Sequence, residues 1–379
     1  MKLIIDAISN GSGGAKRHLS ELLSYSNYSF CEFTIIEVWG PKSLLDYLPD
    51  NSKIIKKSHK LLDYGVIGFS IFNLFLKRKI FSKNYDIIFS PFGNFTHSLH
   101  PYVSMSRNML MFEKNERRRF KLGFLRLKLK YLFFVNKKSF QNADGLIFLS
   151  KYAKDKINSI INLKSIDQLI INHGISRTFS KNPSKYIFEK NSRLKFLYVS
   201  NFLPYKHHIK LVESFIELNK EGDNISLTLV GENNYKIIGK KINTLISSLS
   251  DSKIIQWYQK VGLDEIRKYY HSADFFIFSS SCENMPNVLI EAMSSGLPIL
   301  CSNYQPMPEF LKKGGIYFDP LSKKSIKEAV RKVISNQNLA FEIAQKSFNL
   351  SKQYSWKICS ENTFRYLYDI SKKYKTNTK

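Results

Sequence analysis

The chain has 379 residues, 43% of them hydrophobic and 14% aromatic, enough for two globular domains that each bury a core. Its four cysteines, Cys31, Cys282, Cys301 and Cys359, form no close pair, which argues against a disulfide framework or a zinc site and fits a reducing cytoplasm. A formal net charge of +27 asks for an acidic partner: nucleic acid, anionic lipid or a phosphorylated substrate.

Lys2 to Ile8 reads as a first strand, too short for a signal peptide and broken by Asp6. Ser9-Asn10-Gly11-Ser12-Gly13-Gly14 follows, then a helix from Ala15 to Ser24. A glycine-rich loop between strand and helix lets backbone approach a phosphate. This one lacks the Gly-Lys-Ser/Thr of a P-loop and the third glycine of a dinucleotide fingerprint, so alone it is more often a tight turn than a site. His18, one turn on, is expected at the surface. Phe33 to Trp39, Tyr85 to Ser90 and Tyr102 to Met105 read as further strands, the last leading into Ser106-Arg107-Asn108. The longest mainly apolar stretch, Tyr64 to Leu76, falls short of a membrane span and runs into Lys77-Arg78-Lys79.

Glu113 to Lys138 holds ten Lys/Arg against two Glu, interleaved with bulky apolar residues from Phe120 to Phe134. Such a basic segment, residues 114–138, suits an anionic membrane surface. The alternative is a helix with one buried face and one solvated basic face. Nucleic acid is not expected, because no binding module is recognisable.

Ala143 to Leu149 reads as a strand with Ser150 capping the next helix, and Leu169 to Ile171 as the last strand of this half, followed by Asn172-His173-Gly174-Ile175. The polar stretch after it, with Pro183, reads as a linker. The second half opens with a strand, Leu194 to Ser200, then Asn201 to Lys206 and His207. Strands at Leu227 to Val230, ending on Gly231, and at Ile254 to Tyr258 precede a helix from Asp264 to Ser272. Asp274 to Asn303 is the most informative stretch: strand Phe275–Phe278, a polar loop to Asn284, a helix opened by Pro286 and stopped by Gly296, and a new strand from Pro298. Such a turn aims a helix N-terminus, with free N–H groups and a positive dipole, at a phosphate. Glu283 and Glu291 flank it. A carboxylate there repels phosphate, so it either accepts hydrogen bonds from sugar hydroxyls or is simply solvated. Gly314 to Pro320 reads as a turn and short strand. Helices over 324–335 and 339–351 follow, then a last helix from Trp356 to Lys373 and a disordered tail.

The string E-N-M-P-N-V-L-I-E-A-M-S-S-G-L-P, residues 283–298, resembles the Glu-x7-Glu signature of retaining, nucleotide-sugar-dependent glycosyltransferases of family 4. The resemblance implies a GT-B fold, α/β, with two Rossmann-like domains facing a central cleft. It implies an acceptor-binding domain over 1–178, a linker over 179–193, a nucleotide-sugar-binding domain over 194–355, and a crossover helix and tail over 356–379. Glu283 would then contact the donor sugar and Glu291 the ribose, while Asn287 and Val288 give backbone N–H groups to phosphate. Lys206 matches the family's diphosphate lysine; Asn201 stands where its arginine is expected and His207 where its glycine is. Gly13 and Gly14 would face the diphosphate, Gly231 would allow close approach, and Tyr258 would meet the base. Arg107-Asn108 is the closest match to a family histidine that contacts the donor sugar, and Arg107 would act in catalysis facing either the donor or the acceptor. No Asp-x-Asp occurs, so no metal and no cofactor are expected; Lys206 and helix N–H groups would stabilise the leaving diphosphate.

The implied reaction moves a sugar, with retention, from a nucleoside-diphosphate sugar to a hydroxyl of a lipid-linked saccharide. The implied setting is bacterial surface polysaccharide or lipopolysaccharide synthesis, with the protein cytoplasmic and peripheral on the inner membrane face. Two alternatives are a nucleotide-sugar 2-epimerase of the same fold and a non-catalytic basic protein that binds membrane or nucleic acid.

Overall fold

The structure is a computed structural model that describes residues 1–9, 13–64, 68, 71–82, 84–120, 123–184 and 192–377. The centre of the glycine loop (10–12), residues 121–122 of the basic stretch and 185–191 of the expected linker lie outside these residues. The chain forms two compact units: Met1–Phe112, Leu122–Gly174 and Ser355–Lys379 make one, Glu113–Lys121 and Ile175–Tyr354 the other.

The first unit holds an all-parallel seven-stranded sheet. Its strands are β1 (Lys2–Asp6), β2 (Ile35–Trp39), β3 (Ile54–Lys57), β4 (Ile87–Ser90), β5 (Tyr102–Met105), β6 (Gly145–Phe148) and β7 (Asp167–Ile170), in the order β3-β2-β1-β4-β5-β6-β7. Strands β4, β5 and β6 are buried throughout, as parallel strands covered on both faces must be, which is why they read as mainly apolar runs, with only Ser90, Ser104 and Gly145 as exceptions. Edge strand β3 alternates half-buried Ile54 and Lys56 with exposed Ile55 and Lys57, and such a short, lysine-bearing run carried no strand signal in the sequence. Ser150 caps the Lys151–Asn158 helix through the Ala153 N–H, as expected.

The second unit repeats the plan with six parallel strands. They are β8 (Leu194–Val199), β9 (Ile225–Val230), β10 (Ile255–Tyr258), β11 (Phe275–Phe278), β12 (Ile299–Ser302) and β13 (Ile316–Phe318), in the order β10-β9-β8-β11-β12-β13. In each unit the strand order reverses once, between β1 and β4 and between β8 and β11. Ligands of doubly wound sheets bind beyond the carboxyl ends of the strands at that switch point. The glycine loop follows β1; the Asn201–Lys206 loop follows β8, and the Ser279–Asn284 loop follows β11. Topology thus puts the most suggestive loops of the sequence at the two switch points.

Three expectations need correction. The last helix runs from Trp356 to Asn377, four residues past Lys373, so the described part of the expected tail is helical; it belongs to the first unit. Residues 179–184 of the expected linker pack in the second unit. There Phe179 is buried edge-on to Tyr270, with ring centroids 5.5 Å apart, and Lys181 donates its N–H to the Ser294 carbonyl (3.0 Å). The basic stretch is divided: Glu113–Lys121 lies in the second unit, and the Phe124–Gln141 helix in the first. In the Asn172-His173-Gly174 turn, glycine is required by sterics, since a Cβ on Gly174 would stand 2.0 Å from the Trp356 backbone nitrogen.

Candidate functional site

At the switch point of the second unit, Lys206 closes a short 3-10 turn, Pro204–Lys206. Its carbonyl accepts hydrogen bonds from the Tyr198 hydroxyl (2.9 Å) and the Ser279 hydroxyl (2.8 Å), which ties the loop after β8 to the loop after β11. Its ammonium pairs with the Glu283 carboxylate and lies 5.4 Å from the ring centroids of both Tyr205 and Phe278. Both charged side chains are mostly buried, so each offsets the desolvation of the other. The next residue, His207, has φ of 52° and ψ of 28°, the left-handed region, where a glycine would sit without strain. Burial, then Arg119, then Lys210 hold its pKa down at about 3, and its Nε2 lies 2.7 Å from the Ser281 hydroxyl. His208, fully inside, is also held well below its ordinary value, by burial first and Lys206 second.

The Asn287–Ser294 helix starts beside this pair. Pro286 gives it no side-chain cap, and Asn287 and Val288 are half-buried while every later residue is buried. A helix start without a side-chain cap suits an anion, through its positive dipole end. Glu291 is buried and accepts a hydrogen bond from the Tyr270 hydroxyl (3.0 Å). Asn201 is exposed and accepts the Glu232 N–H on its side-chain oxygen (3.0 Å). Gly231 has φ of 151°, and a Cβ there would lie 2.2 Å from the Ser200 carbonyl oxygen; the close approach that demands glycine is between the ends of β8 and β9. Tyr258 ends edge strand β10, two strands from β8, or about 10 Å at the usual strand spacing. It is exposed, with its ring centroid 5.2 Å from that of Tyr269.

The remaining candidates meet in the first unit. Gly13 and Gly14 open the Gly13–Ser24 helix, and among the described residues a Cβ on Gly14 would touch nothing within 4 Å. Arg107 reaches the Gly14 carbonyl (3.1 Å) and the His18 Nδ1 (3.1 Å); burial lowers its pKa to about 10, which still leaves it charged at neutral pH. Contrary to expectation, His18 is 0% exposed. Its ring stacks on His173 at 4.4 Å, with Trp356 at 5.8 Å, and burial, His173 and Arg107, in that order, keep it neutral. The sequence did carry the signal. Ala15, His18, Leu19, Leu22 and Leu23 share one helical face, and all are buried.

The Phe124–Gln141 helix leaves an apolar stripe uncovered, Leu127 at 68%, Tyr131 at 67% and Phe134 at 55% exposure, with exposed Lys128, Lys130 and Lys138 around it. Among the described residues no helix is long and apolar enough to cross a membrane, and no group of three or more His, Cys, Asp or Glu is placed to hold a metal ion.

Residues 181–349 match the family model of the glycosyl transferases group 1. The O-antigen chain mannosyltransferase of Salmonella typhimurium is 25% identical over 205 residues, 54% of either chain, and the chain spans about half the length of the curated relatives it matches. Among solved structures, sucrose-phosphate synthase of Thermosynechococcus elongatus superposes with a TM-score of 0.73 at 14% identity, covering 96% of this chain and 97% of that one. Anabaena HepE in complex with UDP and glucose superposes with a TM-score of 0.71 at 15% identity, covering 97% and 100%. The chain therefore has the GT-B fold and carries, over residues 181–349, the sequence pattern of the glycosyl transferases group 1.

Proposed function

We propose that the protein is a glycosyltransferase that moves a sugar, with retention, from a nucleoside-diphosphate sugar to a hydroxyl of a lipid-linked saccharide in bacterial surface polysaccharide synthesis. The observation that carries this is the Lys206–Glu283 pair at the switch point of the second unit, beside the uncapped Asn287–Ser294 helix. As donor binds, Lys206 turns to the diphosphate and Glu283 is released to accept hydrogen bonds from sugar hydroxyls. The anomeric carbon exchanges its bond to the diphosphate for one to the acceptor oxygen, giving glycosylated acceptor, nucleoside diphosphate and a proton. Lys206 and the helix N–H groups meet the charge that develops on the leaving oxygen, so no metal is required. The O-antigen name of one relative and the UDP in one structural neighbour support the acceptor class and the donor class.

Thermal shift with UDP, GDP, ADP and CMP tests the donor site. A nucleoside diphosphate at about 100 times its Kd is expected to stabilise the protein by about 2.7 kcal/mol. If no nucleotide moves the midpoint, the transferase reading is abandoned.

In the same reading the Phe124–Gln141 helix lies on the membrane that holds the acceptor, its Leu127, Tyr131 and Phe134 stripe inserted among acyl chains. Its lysines would contribute about 1 kcal/mol each against anionic headgroups. Phosphatidylglycerol vesicles are expected to sediment wild-type protein, and the Tyr131→Ser/Phe134→Ser variant several-fold less. Equal sedimentation by phosphatidylcholine vesicles would count against this role.

A further inference from the structure

The donor site as built from β8 and β11 lacks the arginine that the resemblance puts at position 201, and Asn201 has its side-chain oxygen engaged by the Glu232 N–H. An arginine enters the second unit by another route. Residues 113–120 follow a strand and loop of the first unit yet pack in the second. Phe120 anchors them there, buried, with its ring centroid 6.3 Å from that of Tyr205 and 5.8 Å from that of Tyr235. Glu116, at 5% exposure, accepts hydrogen bonds from Arg119 Nε (2.6 Å) and from the Ser281 hydroxyl (2.8 Å). Ser281 also lies against His207 Nε2 (2.7 Å), and its N–H donates to the Tyr205 carbonyl (2.9 Å). An unbroken set of contacts thus links Arg119 to the residues on either side of Lys206 and to the loop that carries Glu283. The Arg119 side chain keeps 30% of its surface accessible while its Nε is held by Glu116. A guanidinium gripped by Nε is oriented, and its planar head suits phosphate oxygens better than a lysine does.

We propose that Arg119 is a donor-binding residue, the second cation for the donor diphosphate beside Lys206, and that Glu116 is the positioning residue that aims it. This rests on the transferase reading of the same site. The placement explains why a carboxylate is kept inside a run of cations. Glu116 holds the Nε of Arg119 in place against the repulsion of the neighbouring guanidinium groups.

The test is calorimetric binding of UDP, GDP and ADP, and of the matching monophosphate of whichever binds, to wild type and to Lys206→Ala, Arg119→Ala, Arg119→Lys and Glu116→Gln. Thermal melts serve as the check on folding. Arg119→Ala is expected to weaken the diphosphate about 10-fold and the monophosphate far less, as loss of one charge-assisted contact should. Arg119→Lys, which keeps the charge and the fold, should recover only part. Glu116→Gln, which keeps the Ser281 contact, should raise the KM for donor with little change in kcat, a split that a merely structural role would not produce. If wild type binds no nucleotide, the donor site itself fails and this inference goes with it. If Lys206→Ala abolishes diphosphate binding while folded Arg119→Ala and Arg119→Lys stay within about two-fold of wild type, the donor site stands and Arg119 has no part in it.

Discussion

Replacing Lys206 with alanine is expected to lower kcat/KM for sugar transfer by about 10²–10³-fold, the range seen when one preorganised charge-stabilising group is removed from an active site. Two effects add. The leaving diphosphate loses the ammonium that meets its developing charge. Glu283, now a mostly buried carboxylate without its ion pair, repels the phosphate it stands beside. The second effect separates this substitution from loss of a surface lysine, because it also reaches the free protein. Breaking a pair as buried as this one is expected to destabilise the fold by up to about 3 kcal/mol. Adding Glu283→Gln to Lys206→Ala should recover much of that stability, since no lone charge is left inside, and none of the activity. Urea unfolding and steady-state rates on the single and double variants give both answers. An active Lys206→Ala enzyme, within about three-fold of wild type, would remove the pair from the mechanism.

Acidification from pH 7 to 5 is expected to destabilise both units steeply. His18 in the first unit and His208 in the second are fully buried and held well below the ordinary histidine value, by burial above all. His207, half-buried, is pushed down to about 3. A base whose pKa is lowered by folding binds fewer protons in the folded chain than in the unfolded one. Stability therefore holds above the unfolded value of about 6.5 and is lost as pH falls below it. Each fully buried histidine contributes up to about 1.4 kcal/mol per pH unit, and His207 less because water still reaches it. Over the roughly 1.5 pH units from 6.5 to 5 each fully buried histidine therefore removes up to about 2 kcal/mol, a sizeable share of the ~5–15 kcal/mol a domain has to lose. The urea midpoint measured from pH 7.5 to 5 checks this, and His208→Gln should flatten the slope for the second unit. A midpoint unchanged over that interval would show that these histidines titrate normally in the folded protein.

Much of this arrangement is legible in the residues alone. Strands such as Phe275–Phe278 stand out because a parallel strand covered on both faces is built of apolar residues, and Tyr102–Met105 does so with one small polar residue, Ser104. The loops after β8 and β11 stand out because small polar residues, Pro204 and the carboxylate of Glu283 interrupt that apolar pattern. Edge strand β3 does not, since half of its residues face solvent and look like loop. His18 was legible in principle from the apolar face it shares with Leu19 and Leu22. A histidine beside a glycine loop draws attention to the loop and away from the face. The burial of Glu116 had no local sign: its neighbours are cations, and only the aromatic anchor at Phe120 marks the point where the chain turns inward.

Local patterning, then, marked most of the strands and the loops that carry the candidate residues, because strand burial and helix starts are written in nearest neighbours; the strand order and the switch points came only with the folded sheets. The tertiary structure alone decided which side chains neutralise one another. The pairing of Lys206 with Glu283 joins residues 77 positions apart, and the contact of Glu116 with Ser281 joins residues 165 apart. No period of 2 or 3.6 encodes such separations; they follow from where the folded loops of each unit come to rest.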